Sequence, residues 1–92
     1  MEIQVQSNRV FVEDASGNIM AEVRFPAISD TQVNFDHTYI SPSLPGASML
    51  ATLMRAAVAH IQSQNLQATA TCPMAIQWFE EHPEFVRALN VW

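Results

Sequence analysis

The sequence predicts an α+β fold, with a largely antiparallel mixed sheet of five or six strands and two main helices. Three observations lead to this prediction. Polar and apolar residues alternate up to Ile40, which is the period of half-buried strands. Apolar residues then recur at helical spacing from Gly46 to Asn65. A further apolar segment begins at Pro73, and proline often occupies the first position of a helix.

The first half of the chain contains the strand signals. Four segments have the composition of strands: EIQVQ (residues 2–6), RVFVED (9–14), NIMAEVRF (18–25) and TQVNFDHTYI (31–40). ASGN separates the second from the third and predicts a hairpin turn. The four segments together predict an antiparallel meander. Alternation in the fourth segment places four residues on one face of its strand: Val33, Phe35, His37 and Tyr39.

The second half begins with the longest helix. Its apolar stripe consists of Met49, Leu50, Leu53, Met54, Ala57, Val58 and Ile61. The segment NLQATATC follows and predicts a short strand, with Leu66, Ala68, Ala70 and Cys72 on one face. Pro73 then opens a second helix, which Pro83 ends or redirects, and EFVRAL adds a last short turn.

Length and composition fit one folded domain covering residues 1–92. Hydrophobic residues make up 49% of the chain and charged residues 14%, which indicates a globular protein rather than a disordered one. One cysteine excludes internal disulfides and favours a reducing compartment. The N-terminus lacks the features of a secretory signal, and no stretch approaches the roughly 20 apolar residues of a membrane span. We therefore expect a cytoplasmic protein without a membrane partner.

The charge distribution excludes several functions. The net charge is −5, lysine is absent, and the four arginines, Arg9, Arg24, Arg55 and Arg87, are scattered along the sequence. Such a chain has few groups to neutralise phosphates, so we expect no nucleic-acid partner. The absence of lysine also excludes a Walker-type phosphate loop and Schiff-base chemistry. Three histidines and one cysteine lie far apart in the sequence, so no metal site is predicted.

The segment LPGAS, residues 44–48, permits two interpretations. A helix start carries unpaired N–H groups and about half a positive charge, and a glycine lets a phosphate approach the main chain. Gly46, Ala47 and Ser48 are placed where such a phosphate would bind. The alternative is a turn that only begins a helix, which the residues alone favour because most junctions of a strand, a glycine and a helix bind nothing.

Three stretches, in order, resemble one known family. DHTYISPSLPG contains a His-Thr pair on a strand, a proline loop and a glycine. ATATCPMAIQWF contains a short strand, Cys-Pro and an aromatic-bearing helix, and HPEF follows. Together they resemble the small GNAT-type N-acetyltransferase-like proteins, over about residues 8–89. The resemblance implies a GNAT-like domain, acetyl-coenzyme A as acyl donor and an amine as acceptor.

The same resemblance implies where the coenzyme binds. The pyrophosphate would lie on Gly46, Ala47 and Ser48, and the rest along a strand that splays open in this family. On that strand the implied residues are Thr38, Tyr39 and Ile40. The family loop reads R/Q-G-x-G-x-G/A. In this chain Pro45 stands in place of the Arg or Gln, Ser48 in place of the second glycine, and Leu50 in place of the last small residue. These departures predict weaker binding of coenzyme A than in a relative with all three glycines.

Two residues are candidates for the chemistry. Cys72 directly precedes Pro73, and the start of a helix lowers the pKa of a thiol; the resemblance places this cysteine near the acetyl group. The alternative is that Cys72 is a small buried residue in line with Ala68 and Ala70. His37 would accept the proton of the amine, or would be a hydrogen-bonded core residue.

The sequence thus predicts an acetyl-coenzyme A-dependent N-acyltransferase acting on an unknown amine. Direct attack by the amine and prior transfer of the acetyl group to Cys72 both stay open. One alternative is a non-catalytic module of the same fold that binds coenzyme A or a partner through a degenerate loop. Another is a structural α/β domain without a cofactor. Apolar Val91 and Trp92 at the end of the chain are compatible with a homodimer.

Overall fold

The computed structural model describes residues 2–89, which form six strands and three helices. The strands are β1 (Ile3–Gln6), β2 (Arg9–Glu13), β3 (Ile19–Arg24), β4 (Gln32–Phe35), β5 (His37–Ile40) and β6 (Gln67–Ala70). The helices are α1 (Gly46–Ser63), α2 (Pro73–Glu81) and α3 (Pro83–Leu89). The predicted α+β class is confirmed, and α1 begins at the predicted residue. Val91 and Trp92, on which the predicted homodimer depended, lie outside the described residues.

The strands form two hydrogen-bonded sheets rather than one. Strands β1, β2, β3 and β5 make an antiparallel sheet in that order, and β4 pairs in parallel with β6. The predicted fourth strand, residues 31–40, is therefore two strands that separate at Asp36. Only the second of them, β5, completes the antiparallel sheet that the sequence predicted.

The break at Asp36 also changes which side chains share a face. Val33 and Phe35 are buried, whereas His37 and Tyr39 are exposed. Asp36 is registered in neither ladder, and its N–H donates to the carbonyl of Arg24, the residue registered opposite His37. This extra residue shifts the alternation by one position. The prediction that these four side chains lie on one face is consequently wrong for the two in β5.

One hydrophobic core joins both sheets to the helices. The α1 stripe is confirmed, since Leu53, Met54, Ala57, Val58 and Ile61 are buried. The ring of Phe35 lies 5.4 Å from that of Phe25 and 5.3 Å from that of Phe79, measured between centroids. These aromatic contacts fix the end of β4 against α2. Within residues 2–89, no helix is long and apolar enough to cross a membrane.

Candidate active site

Strands β4 and β6 end together, and the segments that follow them, β5 and the start of α2, border the site that is termed the cleft. The parallel pair ends at Phe35 and Ala70, and the Phe35 carbonyl accepts hydrogen bonds from the N–H groups of Thr71 at 3.0 Å and Cys72 at 3.1 Å. Beyond this point β5 pairs with β3, while the other chain segment turns into α2. The two segments therefore take different directions directly after the end of the parallel pair, which is the vertex of the cleft.

Side chains reinforce the vertex of the cleft. Asn34 Nδ2 donates to Thr71 Oγ1 at 3.0 Å, and Thr69 Oγ1 donates to Asn34 Oδ1 at 2.8 Å. These bonds join β4 to β6 across the parallel pair. Because both the nitrogen and the oxygen of the Asn34 amide are engaged, the orientation of its side chain is defined. The separation of the strands thus begins at a fixed place.

Thr38 and Cys72 face each other across the cleft. Thr38 Oγ1 lies 3.4 Å from Cys72 Sγ, and it donates to Met74 Sδ at 3.0 Å. A hydroxyl has one proton to donate. The Thr38 hydroxyl can therefore donate to Met74 while the thiol is protonated, and to the Cys72 sulfur once the thiol is ionised. Cys72 is half-buried and forms no disulfide.

The surroundings of Cys72 favour its thiolate. Burial raises the pKa of the thiol, but the Thr38 hydroxyl lowers it, and so do the backbone N–H groups of Ala75, Met74 and Thr38. The net effect is a pKa below the ordinary value of a cysteine. Cys72 occupies the N-cap position of α2, where the N–H groups of the first turn lack helical partners. The predicted effect of the helix start on this thiol is supported by these contacts.

The residues of β5 divide between the cleft and the opposite side. Ser41 N–H donates to the Met20 carbonyl at 2.7 Å. In an antiparallel ladder every second residue directs its backbone N–H and C=O to the neighbouring strand. Counting back from Ser41, Tyr39 and His37 therefore bond to β3. Thr38 and Ile40, which lie between them, direct their backbone groups to the other edge of β5. β5 is the last strand of its sheet, so this edge borders the cleft.

Side-chain directions follow the same division. Thr38 is registered opposite buried Val23, on the core face, whereas His37 is registered opposite exposed Arg24. Successive side chains of a strand point to opposite faces. The geometry therefore brings Thr38 to Cys72 and does not bring His37 there. The Asp36–His37 pair was the available sequence signal, since aspartate is depleted in strands.

The start of α1 is open and lacks a cap. Pro45 is the N-cap residue, no side chain from the described residues caps the helix, and the first turn contains no acidic residue. Gly46, Ala47 and Ser48 are all exposed. A Cβ built on Gly46 would have no described atom within 4 Å, so the space beside its backbone is free. These properties fit a phosphate group of coenzyme A, because such a group needs unpaired N–H donors and close approach.

Two residues of the cleft were not identified from the sequence as site residues. Met74 shares the Thr38 hydroxyl with Cys72, and Asn34 holds the vertex. Nothing in the local sequence indicates a role for either residue, because their hydrogen bonds are to Thr71 and Thr38, which lie on distant segments of the chain. Among residues 2–89, no group of three or more His, Cys, Asp or Glu side chains could hold a metal ion.

Comparison with known proteins agrees with the fold. The model of the GCN5-related N-acetyl-transferase family matches residues 9–89. The solution structure of a GCN5-like N-acetyltransferase candidate from Staphylococcus aureus superposes with a TM-score of 0.80 at 26% identity, covering 99% of this chain and 87% of that one. No curated protein sequence is significantly similar. Because the family model matches most of its length, this chain belongs to the GCN5-related N-acetyltransferase family.

Proposed function

We propose that this protein transfers an acetyl group from acetyl-coenzyme A to an amine, in the cleft between β5 and α2. The observation that carries the proposal is the Cys72 thiol, which faces Thr38 at the point where the strands separate. Family membership supports acyl transfer in general. Two points go beyond family membership and are proposed: that the donor is acetyl-coenzyme A, and that the acceptor is an amine.

Acetyl-coenzyme A would supply the acetyl group as a thioester. The unpaired N–H groups of Gly46, Ala47 and Ser48 would hold its pyrophosphate, with the positive end of α1 adding to the attraction. The free backbone edge of β5 at Ile40, with the Thr38 carbonyl, would bind its amide-containing arm, as an added strand binds a sheet edge. Tyr39, whose backbone bonds to β3, would contribute little to this binding.

Cys72 has two roles that are compatible with its surroundings. In the two-step route, the Cys72 thiolate would attack the acetyl carbonyl and coenzyme A would leave as its thiolate. The amine would then attack the Cys72 thioester, which would release the Cys72 thiolate and a proton. In the direct route, the amine would attack the donor thioester, coenzyme A would leave as its thiolate, and the Cys72 thiolate would accept the proton of the amine. Thr38 stabilises the thiolate in both routes. We assign neither step to His37, which lies on the opposite face of β5 from Thr38.

A second candidate function rests on the loop before α1. Pro45 has no N–H, and Ser48 and Leu50 stand where the family has small residues, so a non-catalytic module that binds coenzyme A weakly is the alternative. Both functions are compatible with the predicted cytoplasmic location, and with either a monomer or the predicted homodimer.

Two measurements on the whole protein test the proposal. Calorimetric titration with acetyl-coenzyme A should give saturable binding, and a structural domain without a cofactor would give none. Acetyl transfer to a panel of small amines, followed by thiol release and mass spectrometry, should then give an acetylated product. Binding without any acetylated amine or acetylated Cys72 would favour the non-catalytic module.

A further inference from the structure

Two arginines that are 15 residues apart in the sequence are neighbours in the sheet. Arg9 of β2 is registered directly opposite Arg24 of β3, and Arg24 is registered opposite His37 of β5. These two arginines are thus separated in the sequence and adjacent in the sheet. Directly opposed side chains have Cβ atoms about 5 Å apart, and like charges at that separation repel. The pair is unusual in a chain with a net charge of −5.

The two guanidinium groups differ in their partners. Arg9 donates from Nη1 to Glu22 at 2.6 Å and from Nε to Gln6 at 2.8 Å, and its Cζ lies 4.0 Å from the centroid of the Phe11 ring. These contacts fix the plane of Arg9 and leave its Nη2 group without a hydrogen-bond partner in the described part of the chain. Arg24 is exposed, and within residues 2–89 the one salt bridge is that of Arg9 with Glu22. Glu22 therefore neutralises one cation of the pair and leaves the other unbalanced.

A surface cavity of about 340 Å³, open to solvent, lies beside the pair. Its walls are Gln6, Ser7, Asn8, Arg9, Arg24 and Pro26, without an acidic residue. Liquid water occupies about 30 Å³ per molecule, so the cavity has room for a tetrahedral oxyanion and more. The side-chain oxygen of Gln6, Oε1, accepts a hydrogen bond from Arg9, which leaves the side-chain nitrogen of Gln6 as a donor. Asn8 is held in place by donating to the Phe25 carbonyl at 3.1 Å.

We propose that this cavity binds an oxyanion of the phosphate class between Arg9 and Arg24, at the turn that joins β1 to β2. Guanidinium groups match the geometry of such an anion, and the anion would relieve the repulsion between the two arginines. The Gln6 amide and the Ser7 hydroxyl add uncharged donors. The site is distinct from the open start of α1, since the two share no residue.

The test is a titration of the ¹⁵N-labelled protein with inorganic phosphate at constant ionic strength. We expect saturable shifts of the Arg9 and Arg24 Nε–H signals and of the Ser7 amide. Arg24→Gln should weaken this binding at least about tenfold, since it removes the unbalanced cation. Arg55→Gln is the matched control, because it removes the same charge from an exposed position on α1. That variant should bind phosphate like the original protein.

Three results would overturn the proposal. Shifts that grow linearly without saturation would mean that phosphate is only loosely attracted. If Arg24→Gln and Arg55→Gln weakened phosphate binding equally, the binding would depend only on the net charge of the protein and not on a site at Arg24. Shifts confined to Gly46, Ala47 and Ser48 would place the anion at the start of α1 instead, and would leave the proposed acetyl transfer unaffected.

Discussion

The starts of α1 and α2 have similar backbone geometry and differ in what lies beside them. Both N-cap residues are extended, with φ −70° and ψ 100° at Pro45 and φ −73° and ψ 126° at Cys72. Within the described residues, neither helix has a side-chain capping bond or an acidic residue in its first turn. At α1 the space beside Gly46 is empty, whereas at α2 the Cys72 sulfur lies close enough to the first N–H groups to be stabilised as an anion.

The difference between the two starts separates binding from chemistry. An open helix start can receive an anion from outside, such as a pyrophosphate. A helix start that carries its own thiol stabilises an anion which the protein itself generates. On this account Gly46 determines whether coenzyme A binds, and Cys72 determines whether the acetyl group moves. Substitutions at the two starts should therefore have separable effects.

The largest expected effect is that of Cys72→Ala on catalysis. Turnover at saturating acetyl-coenzyme A should fall at least about a hundredfold, because a nucleophile and a general base both contribute on that scale or above. Coenzyme affinity should change little, and circular dichroism should show the same fold. Steady-state kinetics with an accepted amine gives the comparison. A variant with the turnover of the original protein would remove Cys72 from the reaction.

Gly46→Val should weaken coenzyme binding. The valine side chain would occupy the empty space beside the backbone, so affinity should fall at least about tenfold, or about 1.4 kcal/mol. Gly46 does not have a positive φ, so the substitution should not strain the fold. Calorimetry measures the change, with Ala59→Val as the control for a β-branched residue at an exposed position of α1. Unchanged affinity in Gly46→Val would place the coenzyme elsewhere.

Thr38→Val should raise the pKa of Cys72, because it removes the hydroxyl that stabilises the thiolate. In the original protein the pKa is lowered, so the thiolate is present at a lower pH than in a free cysteine. The rate of alkylation against pH should therefore show its inflection at higher pH in the variant. Thr71→Val is the matched control, since that hydroxyl bonds to Asn34 and not to the sulfur. The same inflection in both variants would refute the role of Thr38.

The smallest expected effect is that of His37→Gln. Because His37 is exposed and lies on the opposite face of β5 from Thr38, turnover and its pH dependence should stay close to those of the original protein. The contribution of a positioned general base would be far larger, at about a hundredfold or more. A loss of that size, restored by raising the pH, would return His37 to the catalytic role that the sequence suggested.

Most of the fold was predictable from local periodicity, and the cleft was predictable only through the family resemblance. The α1 stripe begins near Gly46 because apolar residues recur at helical spacing over the whole segment. The alternation in residues 31–40 gave no sign of two strands, since each half is regular on its own. The break arises from tertiary pairing: β4 bonds to β6, which lies more than 30 residues later in the chain.

The contacts of the site depend on that same break. Thr38 reaches Cys72 because Asp36 shifts the alternation by one residue, which turns Thr38 towards the core face and His37 away from it. Asp36 was the one local signal of such a shift, because aspartate is depleted in strands, and local sequence does not show which distant strand each half joins. Arg9 and Arg24 lie on the two strands of the predicted hairpin, but their opposition was missed because the register changes at the irregularity between Val12 and Glu13.

Protection of Cys72 by acetyl-coenzyme A tests the central claim most directly. The claim is that the coenzyme lies on the start of α1 with its thioester at the start of α2, so it should cover the thiol. Alkylation of the original protein should therefore slow as acetyl-coenzyme A is added, with the same midpoint as calorimetric binding. In Gly46→Val the midpoint of protection should move to an acetyl-coenzyme A concentration at least about tenfold higher. Unprotected Cys72 in a protein that binds the coenzyme, or equal protection in Gly46→Val, would contradict the account.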